Sequence, residues 1–137
     1  MQVSRLLTLL ALLLPFSLMA EVTVGAARTN LYLPALKGKK VALLSNHTGL
    51  VGDKHTLDIM LENGVNVTTI FSPEHGFRGT ADAGEHVSSS VDPVTGIPIA
   101  SLYDGKMREP KQEVMDGFDV LVFDIQDVGL RYYTYYC

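Results

Sequence analysis

Three clusters of polar residues have the composition of a sugar- or acid-binding site. They are residues 45–49 (Ser-Asn-His-Thr-Gly), 72–79 (Ser-Pro-Glu-His-Gly-Phe-Arg-Gly) and 124–135 (Asp-Ile-Gln-Asp-Val-Gly-Leu-Arg-Tyr-Tyr-Thr-Tyr). They supply carboxylates for proton transfer, guanidinium groups for bidentate binding of anions, and aromatic faces for packing. Glu74 is the first candidate for a catalytic carboxylate, because a solvated Glu between Pro73 and His75 would contribute little to the fold.

Alternating strands and helices are predicted to position these clusters. Apolar, often β-branched runs predict strands at residues 40–45, 65–71, 97–102 and 118–124. Helical spacing predicts a helix at about residues 54–63, and a leading Pro predicts another at 110–115. Residues 72–96 show no clear periodicity, and a connection of that length is typically functional. The element order predicts an α/β fold with a Rossmann-like, open, mostly parallel sheet.

Each polar cluster follows a predicted strand, so parallel pairing would bring all three to the carboxyl edge of the sheet, where such folds bind ligands. Ordinary structural roles remain open for the same residues. Asn46 and Thr48 are common turn residues, and Asp124 would also cap the segment that follows it. Arg78 and Arg131 would suit either carboxylate recognition or a solvated surface. The tyrosines at 132, 133 and 135 are as compatible with packing as with sugar binding.

The composition excludes several classes of function. The chain has 137 residues, 47% of them hydrophobic, and a formal net charge of −4 without a cluster of Lys or Arg, so nucleic-acid binding is not expected. The single thiol, Cys137, forms no intrachain disulfide and belongs to no Cys-x-x-Cys motif. Neither a Gly-x-Gly-x-x-Gly fingerprint nor a P-loop is present, so neither a dinucleotide nor an NTP is implied and no cofactor is predicted.

The first twenty residues are predicted to be a signal peptide. Arg5 precedes an apolar run that Pro15 interrupts and that is shorter than a transmembrane helix needs. We therefore expect export to the periplasm or the extracellular space and no lasting membrane span, with an uncleaved membrane anchor as the alternative. Cleavage is expected after Ala20, with Ala26 or Ala27 as alternatives. The mature domain would then comprise residues 21–137.

These motifs, together with Asp-Ala-Gly-Glu at 82–85, resemble the exo-β-N-acetylmuramidase family NamZ, also known as DUF1343 or glycoside hydrolase family 171. The resemblance extends from Val22 to Tyr135. It implies a Rossmann-like catalytic domain followed by a smaller C-terminal domain, of which this chain would contain only the N-terminal part. It also implies release of N-acetylmuramic acid from the non-reducing end of peptidoglycan fragments.

The resemblance implies that Glu74 is a catalytic carboxylate. The expected substrate-binding residues are Asn46, His47, His75, Arg78, Glu85, Asp124, Gln126, Asp127, Arg131 and Tyr132. Glycoside hydrolysis normally uses two carboxyl groups, and the family resemblance puts the second beyond Cys137, with Glu85 and Asp127 as alternatives within the chain. An Arg would suit the lactyl carboxylate of muramic acid.

Two further hypotheses stand beside a glycosidase. A chain without its second carboxylate would bind muramic acid without cleaving a glycoside. A metal-dependent hydrolase of another ester or amide of the cell envelope would use His47, His75 and Asp124 as ligands. The preferred glycosidase hypothesis, by contrast, predicts no bound metal.

Overall fold

The computed structural model of the protein describes residues 22–73, 75–79, 89–103 and 109–126. The strands are β1 (Lys40–Ser45), β2 (Leu50–Val51), β3 (Lys54–His55), β4 (Asn66–Ser72), β5 (Ser90–Val91), β6 (Pro98–Ser101) and β7 (Val120–Asp124). The helices are α1 (Thr29–Leu36), α2 (Thr56–Glu62) and α3 (Gln112–Met115), and a 3-10 turn at Gly25–Ala27 precedes α1.

The main sheet has five strands in the order β5-β6-β4-β1-β7. β6, β4, β1 and β7 are parallel, and β5 pairs antiparallel with β6 at the edge. Among the parallel strands the first along the chain is central, the second and third lie on one side of it, and the fourth lies on the other. This is the Rossmann-type order, with its switch point between β1 and β7. The predicted α/β, mostly parallel sheet is confirmed.

Both faces of the central strand are buried. Leu43 of β1 packs with Leu57 and Met60 of α2 on one face. Leu44 packs with Phe71 of β4 on the opposite face. A strand with both faces covered needs an almost continuous apolar run, which explains why residues 40–45 were recognisable as a strand.

A β-bulge in β4 allows two apolar side chains three positions apart to share one core. The register with β1 shifts between Val41 and Ala42, whose partners are Val67 and Thr69. Val67 and Ile70 consequently belong to the same buried cluster, although strict alternation would place them on opposite faces.

The helix predicted at 54–63 begins two residues later than expected. Lys54 and His55 form β3, which pairs with β2 in a small antiparallel hairpin. The His55 side chain then caps α2, because its Nδ1 accepts a hydrogen bond of 3.1 Å from the backbone N–H of Leu57. His is not among the preferred N-cap residues, so this boundary is only weakly marked in the sequence.

Helix α1 was not predicted from the sequence. It contains Pro34 in its second half, a residue that lacks a backbone N–H and disfavours helix interiors. Strand β5 was also missed, because two residues are too few to show periodicity. No helix in the described ranges is long and apolar enough to cross a lipid bilayer.

Candidate functional site

The carboxyl ends of the four parallel strands form a row of polar residues. In spatial order they are Ser101, Ser72, Ser45 and Asp124. Ser45 and Asp124 are register partners in adjacent strands, as are Ser72 and Ser101. The polar ends expected from the sequence are therefore assembled along one edge of the sheet.

Loop 1, residues 46–49, follows β1 and is held by its own hydrogen bonds. The Asn46 Oδ1 accepts hydrogen bonds from the Thr48 N–H at 3.0 Å and the Thr48 hydroxyl at 2.8 Å. The Gly49 N–H donates to the Asn46 carbonyl at 3.1 Å. The turn role that the sequence left open for Asn46 and Thr48 is thus present, and it uses the side-chain oxygen of Asn46.

His55 joins loop 1 to the start of α2. Its Nδ1 accepts from the Leu57 N–H, so its Nε2 carries the proton and donates to the Asn46 carbonyl at 2.8 Å. The ring is also 4.8 Å, edge to face, from Phe77. His55 was not among the residues expected at the site, since its position inside a predicted helix gave no sign of this contact.

Loop 2, residues 73–79, follows β4, and its residues 75–79 are tied to the core by Phe77 and Arg78. Phe77 is only 2% exposed and belongs to the main core cluster. The Arg78 guanidinium lies 4.8 Å from the Phe77 ring centroid, within the range of a cation–π interaction. Its Nε and Nη2 donate to the two carboxylate oxygens of Asp92 at 3.0 and 2.9 Å.

The Asp92 carboxylate is completely buried and fully satisfied. Besides Arg78, it accepts hydrogen bonds from the Thr95 hydroxyl at 2.7 Å and the Thr95 N–H at 3.1 Å. Burial alone would raise the pKa of Asp92. The hydrogen bonds from Arg78 and Thr95, together with the positive charge of Arg78, outweigh burial and lower this pKa below its usual value. Two donors of the Arg78 fork are therefore used inside the fold, a role that the sequence did not reveal.

His47 of loop 1 touches Gly79 of loop 2. A Cβ at Gly79 would overlap the His47 imidazole, and the φ of Gly79 is +69°, a conformation that favours glycine. The two loops therefore meet through a close approach of ring and backbone. This is the contact between loops that parallel strand ends were expected to bring about.

Asp124 lies at the switch point between β1 and β7. A Cβ at Gly49 would lie 2.9 Å from Asp124 Oδ2 and would overlap the Ser45 hydroxyl, so loop 1 packs directly on this carboxylate. Asp124 Oδ2 is buried and has no hydrogen-bond partner among the described residues. An unpaired buried carboxylate oxygen is costly, and such groups concentrate at functional sites.

A cavity of about 530 Å³ opens beside Asp124. Its walls come from residues 24–26, loop 1 and the end of β7. Tyr32 also lines it and donates a hydrogen bond of 3.1 Å to the Ala26 carbonyl. Burial, and secondarily the negative charge of Asp124, raises the pKa of the Tyr32 phenol, which therefore stays protonated near neutral pH.

Six of the predicted site residues lie in the described part of the chain. Asn46, His47 and Asp124 adjoin the switch point, Gln126 lines the same cavity, and His75 and Arg78 belong to loop 2. The others, Glu74, Glu85, Asp127, Arg131 and Tyr132, lie outside the described residues, as does the predicted signal peptide. Tyr32 and residues 24–26 were missed, because no motif marks them.

The described residues include no group of three or more His, Cys, Asp or Glu side chains arranged to hold a metal ion. His47, His75 and Asp124, the ligands of the metal-hydrolase hypothesis, are all described and do not form such a group.

A Rossmann-type sheet with a cavity at its switch point, lined by apolar side chains and a carboxylate, is the architecture of a ligand-binding α/β domain. The sequence profile of exo-beta-N-acetylmuramidase NamZ, N-terminal, matches residues 41–137. The chain belongs to this family.

Individual relatives agree with the assignment. The chain is 47% identical over 106 residues to peptidoglycan beta-N-acetylmuramidase NamZ of Bacillus subtilis (strain 168). This alignment covers 76% of this chain and 25% of that protein. Two DUF1343 family crystal structures from Bacteroides fragilis NCTC 9343 are also similar. The first has a TM-score of 0.67 and 53% sequence identity, and the match covers 82% of this chain and 28% of the solved chain. The second has a TM-score of 0.66 and 40% sequence identity, and the match covers 78% of this chain and 26% of the solved chain. The chain thus spans about a quarter of the length of these relatives.

Proposed function

We propose that the protein is the N-terminal part of an exo-acting glycosidase that releases N-acetylmuramic acid from the non-reducing end of peptidoglycan fragments. The supporting observation is the family match over residues 41–137, which includes both loops at the carboxyl edge of the sheet. The name of the Bacillus subtilis relative, peptidoglycan beta-N-acetylmuramidase, indicates a β-N-acetylmuramide bond as the bond to be cleaved and peptidoglycan as the polymer that contains it.

In this proposal Glu74 is a catalytic carboxylate. Cleavage of a glycosidic bond needs one carboxyl group to protonate the leaving oxygen and a second group to act as nucleophile or to activate water. In the sequence Glu74 follows Ser72, the last residue of β4, and Pro73, and it precedes Phe77 and Arg78, which are anchored in the core. Proton transfer requires a carboxyl group that is held within reach of the reacting oxygen.

The test is release of the chromophore from a chromogenic β-N-acetylmuramide. Glu74→Gln should abolish turnover in the longest reading frame that contains this chain, because the amide can neither donate nor accept the proton. Glu62→Gln is the matched control, since Glu62 is solvent-exposed and forms a surface ion pair with Lys54. Unchanged turnover in Glu74→Gln would show that the assignment of Glu74 is wrong.

Exo-specificity needs its own measurement. Oligosaccharides with muramic acid at the non-reducing end should lose one monosaccharide at a time, detected by mass spectrometry. Chemical blocking of that end should stop the reaction, whereas internal fragments among the products would indicate an endo-acting enzyme. Sugar binding without any released product from the 137-residue chain would support the binding hypothesis for this part of the protein.

We also propose that residues 1–20 direct export to the periplasm or the extracellular space. Cleavage after Ala20 would preserve residues 24–26 at the cavity, whereas cleavage after Ala26 or Ala27 would remove that wall. The N-terminus of the exported protein, sequenced by mass spectrometry, should therefore be Glu21. Retention of the full-length precursor inside the cell would overturn the export proposal.

A further inference from the structure

The cavity beside Asp124 presents almost only hydrogen-bond acceptors on its polar side. The Tyr32 hydroxyl donates to the Ala26 carbonyl, the Thr48 hydroxyl to Asn46 Oδ1, and the Thr56 hydroxyl to the Gly49 carbonyl at 3.1 Å. Each hydroxyl has thereby used its single proton within the protein. Asp124 also lines the cavity, and its half-buried carboxylate, of which only Oδ2 is buried and without a partner among the described residues, adds a further acceptor.

No basic side chain is found among the described residues that line this cavity. An anionic group would therefore meet the Asp124 charge without compensation, so the lactyl carboxylate of muramic acid is disfavoured here. A group that supplies an N–H donor would instead satisfy the carboxylate with a charge-assisted hydrogen bond.

The remaining wall of the cavity is apolar. It is formed by Val24, Ala26, Leu50, Val122, Phe123 and Ile125. An aliphatic group of the ligand would be removed from water against these side chains, which favours binding. Gln126, at the exposed end of the cavity, carries amide N–H donors.

From this arrangement we propose that the cavity between residues 24–26 and the end of β7 binds the acetamido group of an N-acetylated sugar, an inference that rests on the proposed glycosidase function. The acetamido N–H donates to Asp124, its carbonyl accepts from Gln126, and its methyl group packs on the apolar wall. A free amine would pair with Asp124 but would leave that wall uncovered. The site thus distinguishes N-acetylated sugars from their deacetylated counterparts.

The experiment measures binding, independently of turnover, with N-acetylglucosamine and glucosamine as probes of the 137-residue chain. Ligand-observed saturation-transfer NMR should show the strongest transfer to the acetyl methyl protons. The dissociation constant of N-acetylglucosamine should rise at least tenfold in Asp124→Asn. Asp119→Asn is the matched control. Asp119 is an exposed carboxylate directly before the first residue of β7, far from the cavity end of that strand, and it accepts a hydrogen bond from the Lys40 N–H.

A second variant guards against an effect of misfolding. Val24 lies outside the sheet and is half-exposed, so Val24→Ser should keep the fold and reduce the methyl saturation without removing the carboxylate. The inference is overturned if Asp124→Asn binds N-acetylglucosamine like the wild type, or if glucosamine binds as tightly. Methyl saturation in the 137-residue chain, without turnover of the muramide by the longest reading frame that contains it, would refute the proposed function and keep the site. Turnover of the muramide, together with unchanged sugar binding and KM in Asp124→Asn, would support the proposed function and refute the acetamido site.

Discussion

Asp92, which is completely buried, and Asp124, which is half-buried, differ in how their carboxylates are satisfied. Asp92 accepts hydrogen bonds from Arg78 and Thr95 at both of its oxygens. Asp124 leaves Oδ2 buried beside a cavity, without a partner in the described ranges. A satisfied buried carboxylate stabilises a particular arrangement of the chain, whereas a buried oxygen without a partner costs stability. The comparison separates a residue that holds loop 2 from a residue that we propose binds a ligand.

The largest effect on stability is expected from Asp92→Ala. It removes the acceptor of two Arg78 and two Thr95 donors and leaves a gap at a fully buried position, so the free energy of unfolding should fall by about 3 kcal/mol. Urea unfolding followed by circular dichroism measures the loss. Asp119→Ala, which removes one exposed cap, should cost at most about 1 kcal/mol. Equal losses in the two variants would contradict the anchoring role of Asp92.

Gly49→Ala should have the next largest effect, because it introduces a Cβ where Ser45 and Asp124 already pack. Overpacking of this kind costs about 1–3 kcal/mol, and it should also displace the Asp124 carboxylate and weaken N-acetylglucosamine binding. Gly25→Ala is the control for stability, since a Cβ at Gly25 would meet no atom within 4 Å and its φ is not positive. A Gly49→Ala variant as stable as Gly25→Ala would show that loop 1 does not depend on this close approach.

Because the pKa of Asp92 is lowered in the folded protein, the free energy of unfolding should depend on pH in the acid range. Its contribution is fully present above the unfolded-state pKa of about 3.9 and is lost as the pH falls through the lower folded-state value. The difference in unfolding free energy between the wild type and Asp92→Asn should therefore shrink as the pH falls from about 6 to about 2. Urea titrations at several pH values measure this difference, and a gap that does not change with pH would contradict the prediction.

The smallest effect on stability is expected from Asp124→Asn. The carboxylate has one oxygen, Oδ2, that is buried and has no partner among the described residues. Replacing it by a neutral amide of the same shape removes a desolvation cost, so the free energy of unfolding should stay the same or rise by about 1 kcal/mol. The same urea experiment checks it. A loss comparable to that of Asp92→Ala would mean that Asp124 supports the fold as Asp92 does.

The sequence was sufficient for the elements that rely on local pattern. The buried strand β1 was predicted with its observed bounds, because both of its faces are apolar. The convergence of strand ends at one edge followed from parallel pairing alone. Helix α1 escaped prediction because Pro34 masks its pattern, and the β4 bulge depends on pairing with β1.

The site was predictable only where its residues follow strands. Asn46, His47 and Asp124 were expected at the carboxyl edge, and the structure places them there. Their binding of substrate remains a prediction. The pairing of Arg78 with Asp92 and the contribution of Tyr32 depend on contacts between segments distant in sequence, for which a single sequence offers no signal.

The pairing of β7 with β1 has a consequence for folding kinetics. Lys40 and Asp119, which begin this pairing, are 79 residues apart in the chain, whereas β1 and β4 are joined by one short crossover. Because closing a longer loop costs more entropy, we expect the β1–β4 pair to form first and β7 to join afterwards. Pulsed hydrogen exchange should then protect Leu43 and Ile70 amides before those of β7. A chain that has not yet completed this step has neither the Asp124 carboxylate nor its cavity in place, so the proposed sugar ligand would stabilise the finished sheet without guiding its early assembly.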